Sequence, residues 1–114
     1  RHCRIGTLLW FFMEFIEAPL FSKLINDYLS DEEYSALQWS LALHPESGKV
    51  IPKSGGIRKL RWPGKGKGKR GGLRIIYYWK NQKGEIWFLT VYAKGEAENI
   101  STSTLRVLRK EIES

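Results

Sequence analysis

The stretch Leu73-Arg74-Ile75-Ile76-Tyr77-Tyr78-Trp79, followed by Asn81-Gln82-Lys83-Gly84 and Glu85-Ile86-Trp87-Phe88-Leu89-Thr90-Val91-Tyr92-Ala93, decides the fold class of this chain. Two runs rich in Ile, Val, Tyr, Phe and Trp flank a polar turn that ends in glycine, the pattern of a β-hairpin. Side chains alternate along a strand, so Arg74, Ile76 and Tyr78 share one face. Upstream, Gly55-Gly56 leads into a short strand over residues 57–62. Lys59 and Arg61 lie on one of its faces and Arg58, Leu60 and Trp62 on the other. Residues 63–72 between the two strands form a turn-rich loop.

Working outward, Pro19 suits the first turn of a helix that places Leu20, Phe21, Leu24, Ile25 and Tyr28 on one face. Ser30-Asp31-Glu32-Glu33 has the spacing of a capping box, in which Ser and Glu each satisfy an orphan amide of the first turn. The helix it opens carries Tyr34, Leu37, Trp39 and Leu41, and His44-Pro45 ends it because the residue before proline avoids the α region. At the C-terminus, Leu105, Leu108 and Ile112 recur at helical spacing within residues 103–114, with Thr102 or Ser103 as cap. That helix is expected to be short and to pack weakly. Near the start, Met13 directly precedes a strand, Glu14-Phe15-Ile16-Glu17. Residues 1–12 read as a vector-derived or upstream extension, or as a continuation of that strand through Leu8, Leu9, Trp10 and Phe11. The sum is one α+β domain over residues 13–114: two N-terminal helices on a twisted, mainly antiparallel sheet, with a short C-terminal helix.

The chain has 114 residues, enough for one modest core, and 42% of them are apolar. No apolar run approaches the ~20 residues of a membrane span. A single cysteine, Cys3, forms no internal disulfide, so a reducing cytoplasm is the default. With His2 and His44 as the only histidines, no zinc spacing exists and the usual Ser/His/Asp or Cys/His nucleophile sets are barely possible. The formal net charge is +7, but its distribution matters more. Twelve of the nineteen Lys and Arg residues lie between Lys49 and Lys83, where there is no Asp or Glu. Seven cations remain against all twelve acids, so a +12 block sits on a −5 remainder. Such asymmetry is the footprint of a polyanion site.

Within that block, Gly66, Gly68 and Gly71 spell G-x-G-x-x-G. A dinucleotide fingerprint must follow a strand and open a helix, whereas this string runs into a strand, and no Gly-Lys-Ser/Thr completes a phosphate-binding loop. Lys65, Lys67, Lys69 and Arg70 instead form a glycine-spaced comb of cations suited to a nucleic-acid backbone. The tryptophans read first as packing residues, Trp39, Trp79 and Trp87 in the core or over the sheet and Trp62 beside the loop. His44 reads as a helix terminus.

Taken together, Gly55-Gly56-Ile57-Arg58-Lys59-Leu60-Arg61, the Lys65–Gly72 loop, Leu73-Arg74-Ile75-Ile76-Tyr77-Tyr78 and Leu89-Thr90-Val91-Tyr92-Ala93-Lys94-Gly95-Glu96 resemble a HigB-type toxin of the RelE/ParE superfamily. The resemblance runs from about Met13 to the end and includes Phe15-Ile16-Glu17 and Tyr28-Leu29-Ser30-Asp31-Glu32-Glu33-Tyr34. It implies a bacterial type II toxin–antitoxin module with a ribosome-dependent endoribonuclease that cuts mRNA in the A site, restrained by a helix-turn-helix antitoxin. It also implies chemistry that needs neither metal nor other cofactor. Arg74 matches the arginine opening the family's central strand and would clamp the scissile phosphate. Lys59 and Arg61 match its basic pair; Lys59 or Arg61 would neutralise developing charge, and one lysine would serve as base, neighbouring cations favouring its neutral form. The prototype's further arginine and tyrosine are replaced here by Gly95 and Ser101, so Tyr92 and Lys94 are the substitutes. Arg58 joins Lys65, Lys67, Lys69 and Arg70 as an RNA-binding residue. Two other readings are a ParE-like inhibitor of DNA gyrase and a non-catalytic RNA-binding module.

Overall fold

The computed structural model describes residues 2–4, 13–64, 72–96 and 101–113. They form an α+β domain with a six-stranded sheet in the order β1-β2-β6-β5-β4-β3. The strands are β1 (His2–Arg4), β2 (Glu14–Glu17), β3 (Lys49–Val50), β4 (Arg58–Trp62), β5 (Leu73–Lys80) and β6 (Glu85–Ala93). Helices α1 (Pro19–Tyr28) and α2 (Asp31–Leu43) follow β2, and α3 (Thr102–Glu113) follows β6. Only β2 and β6 pair in parallel; the other four pairings are antiparallel. A 3-10 turn, Asn81–Lys83, closes the β5–β6 hairpin, and Gly84 takes the left-handed conformation that ends it. His2–Arg4 forms an edge strand on β2; residues 5–12, with Leu8 to Phe11, lie outside the described residues.

The capping box predicted at Ser30 is present. Ser30 Oγ accepts the Glu33 amide at 3.1 Å and Glu33 Oε1 accepts the Ser30 amide at 2.8 Å. His44 caps the C-terminus of α2. The sheet has two apolar faces. Phe15, Phe21, Ile25, Tyr34, Leu37, Leu41, Ile75, Tyr77, Phe88 and Val91 build the first core beneath α1 and α2. Ile57, Ile76, Leu89 and Tyr92 meet Leu105 and Ile112 of α3 in a second core.

Four expectations change. Trp39 and Leu20 do not join the core: 39% of Trp39 and 51% of Leu20 remain exposed, and Gln38 takes the buried position beside Leu37 instead. A helix of this length buries a stripe about two residues wide per turn, and the stripe of α2 runs through 34, 37, 38 and 41. The C-terminal helix does not pack weakly, since Leu105 and Ile112 are almost fully buried. Its first turn is capped one residue earlier than expected, by Ser101 Oγ accepting the Thr104 amide at 3.1 Å. The two-residue β3 was not foreseen, being too short for any periodicity. Trp62 and Trp79 pack against the first core and Trp87 against the second, as expected.

Candidate nucleic-acid interface

Strands β4, β5 and β6 carry three of the predicted catalytic residues into one transverse row. In the pairing register Arg61 lies opposite Arg74, and Arg74 lies opposite Tyr92. The next row is Lys59, Ile76 and Thr90. Directly opposed residues point to the same side with Cβ atoms about 5 Å apart, so Lys59, Arg61, Arg74 and Tyr92 share the face on which α3 packs.

A bulge makes this possible. Between Tyr78↔Trp87 and Arg74↔Tyr92 the register slips at Ile76/Tyr77, where β6 accommodates one extra residue at Leu89–Thr90. Without it, counting from Tyr78↔Trp87 would set Val91 against Arg74. Instead Val91 enters the first core and Tyr92 the second. Re-aiming one side chain at a site is a recurrent use of such irregularities.

Arg74 is half-buried, with Nη1 3.4 Å from the Leu73 carbonyl, while Lys59 and Arg61 are exposed. Two guanidinium groups directly opposite one another on a sheet are destabilising. A bound anion between them would turn that repulsion into shared attraction. Tyr92 is 7% exposed and its ring belongs to the second core, so it has no face on which a base could stack; its hydroxyl is the part with chemistry to offer.

The turn after β6 positions Lys94. Its amide donates to the Gly72 carbonyl at 3.1 Å, tying the end of β6 to the start of β5. Gly72 has φ +58, and a Cβ there would stand 2.4 Å from the Trp62 carbonyl oxygen, so glycine is required at this exit from the loop. Glu96 folds back on the same turn, its Oε1 accepting the Ala93 amide at 2.8 Å and the Tyr28 hydroxyl at 2.5 Å. The Tyr28 phenol and then the Ala93 amide hold the Glu96 carboxyl below its ordinary range. In turn the hydrogen bond to Glu96, with burial and the charges of Glu96 and Asp27, pushes the Tyr28 phenol up to about 12. Glu96→Gln should therefore return the Tyr28 titration toward 10, which its ring carbon resonances will report across an alkaline pH series. An unmoved Tyr28 midpoint would count against this link.

The other predicted residues separate. Arg58 faces away from Lys59 and Arg61, and its guanidinium donates to the carbonyls of Glu46 at 3.0 Å and Gly48 at 2.7 Å, a structural engagement. Lys65, Lys67, Lys69 and Arg70 lie outside the described residues. His44 sits exposed at the end of α2 with Nδ1 4.0 Å from Glu46. One cation escaped sequence reasoning as a site residue: Lys49, which β3 places directly opposite Lys59. Its only sequence signal was membership of the acid-free block. No protein-family model matches the chain.

Proposed function

We propose that this chain is the toxin of a bacterial type II toxin–antitoxin module, a ribosome-dependent endoribonuclease that cleaves mRNA in the A site and is held in check by a helix-turn-helix antitoxin. The observation that carries this reading is the row Arg61–Arg74–Tyr92 on one face of the sheet, with Lys59 beside it, its three cations all drawn from the acid-free segment over residues 49–83.

The chemistry that suits such a row is transesterification. The ribose 2′-oxygen forms a bond to the adjacent phosphorus and the bond to the 5′-oxygen breaks, leaving a 2′,3′-cyclic phosphate and a 5′-hydroxyl. One proton leaves the attacking hydroxyl and one is delivered to the departing oxygen. Arg74, fixed on the central strand, grips the non-bridging oxygens and holds the phosphorus in line with the nucleophile. Arg61 and Lys59 neutralise the added charge of the phosphorane, which is larger than that of the ground-state diester, so their contribution grows toward the transition state. The Tyr92 hydroxyl and the Lys94 ammonium flank this phosphate from the end of β6 as proton-transfer and phosphate-contact groups.

Primer extension on mRNA after brief induction tests the reading. Cuts that appear only on translated messages support it. Intact mRNA with inhibited DNA supercoiling would favour a gyrase inhibitor, and RNA bound but uncut would favour a non-catalytic binding module.

A further inference from the structure

A second like-charged pair lies beside the first. Lys49 of β3 is in register with Lys59 of β4, one strand further toward the sheet edge than Arg61↔Arg74 and two residues along β4. Lys49 and Lys59 are exposed, and among the described residues neither side chain is engaged by a hydrogen bond or ion pair. Opposed lysines are unfavourable in a sheet, and a two-residue edge strand has little of its own to hold it.

Yet β3 is firmly fixed from the opposite face. The Tyr77 hydroxyl accepts the Gly48 amide at 2.9 Å and donates to the Pro45 carbonyl at 2.7 Å. Arg58 holds the carbonyls of Glu46 and Gly48, and the Ile51 amide donates to the Ile57 carbonyl at 2.8 Å. At Gly48 a Cβ would stand 2.9 Å from the Tyr77 ring, so the chain passes where only glycine fits. The scaffold thus keeps Lys49 at Lys59 against their mutual repulsion.

We infer that Lys49 marks a second phosphate subsite, in which Lys49 holds the phosphate adjacent to the scissile one and Lys59 bridges the two, in a single-stranded RNA chain crossing β4 toward the β3 edge. This rests on the proposed reading of the Arg61–Arg74 row as the scissile-phosphate site. One strand spacing across and two residues along separate the two pairs by about 8 Å, the scale of one nucleotide step in an extended strand.

The test is fluorescence anisotropy of a labelled 2′-O-methyl oligoribonucleotide, which binds without being cut, titrated with the full chain over a range of KCl. Lys49→Ala should weaken binding several-fold at low salt and reduce the slope of log affinity against log salt by about 0.7, the loss of one phosphate contact. Lys49→Arg should retain the wild-type slope. Lys23→Ala, which removes an equal charge from the exposed face of α1, should leave it unchanged. Equal effects of Lys49→Ala and Lys23→Ala, or none from Lys49→Ala, overturn the subsite while leaving the scissile site standing. Absence of salt-dependent binding by the wild-type chain overturns both.

Discussion

Arg74→Ala is expected to lower RNA cleavage by roughly 10²–10³-fold, the loss typical of removing one donor aimed at developing charge, while leaving the domain folded. Arg74 is the central member of its row, on β5 between β4 and β6, and it is half-buried where Arg61 is exposed. A guanidinium shielded from water acts on a phosphate through a lower effective dielectric, so Arg61→Ala should cost less. Lysine at position 74 keeps the charge but loses the planar fork, and Arg74→Lys should recover only part of the activity. Stability distinguishes this role from a structural one. Because Arg74 faces Arg61, its removal relieves that repulsion, and the midpoint of thermal unfolding should change little as cleavage falls. Cleavage rates on translated mRNA and melting curves for the same preparations check both halves. Full activity in Arg74→Ala would remove the site from this row.

Much of this arrangement was legible because it depends on local rules. The capping box at Ser30, the break at His44-Pro45 and the turn before Glu85 each follow from residues within a few positions of one another, and each is found. The alternation that puts Lys59 and Arg61 opposite Arg58 is equally local. What escaped depends on distant partners. The exposure of Leu20 and Trp39 is set by where α1 and α2 meet the sheet, which periodicity alone cannot choose among adjacent positions. Tyr92 reaches its row only through the bulge at Leu89–Thr90, and nothing in Leu89-Thr90-Val91 marks an extra residue. Lys49 becomes a partner of Lys59 because Tyr77 and Arg58 fasten Gly48 from 29 and 10 residues away. The weak α3 expectation failed for a related reason: its apolar stripe, Leu105, Leu108 and Ile112, is short, but it closes the second face of the sheet.

Phe88→Ala should reduce stability by about 3–5 kcal/mol, the range for deleting a buried aromatic ring. Phe88 is fully buried on β6 and touches three other rings, with centroid distances of 4.7 Å to Phe21, 5.8 Å to Phe15 and 5.7 Å to Tyr34. Those rings come from α1, β2 and α2, so one side chain joins both N-terminal helices to the sheet. Helix α1 and the flat stack of Phe15, Phe88 and Phe21, with interplanar angles of 13° for both stacked pairs, leave little freedom to collapse into the void. The loss should therefore fall at the upper part of the range. A domain of this size has about 5–15 kcal/mol in all, so the variant should unfold at a markedly lower urea midpoint with an unchanged slope. Phe88 lies on the opposite face of β6 from Tyr92, and below its own unfolding midpoint Phe88→Ala should cleave RNA at a rate close to wild type. That is the reverse of the Arg74→Ala pattern, and measuring urea unfolding and cleavage on both variants separates the residues that hold the sheet from those the sheet holds in place.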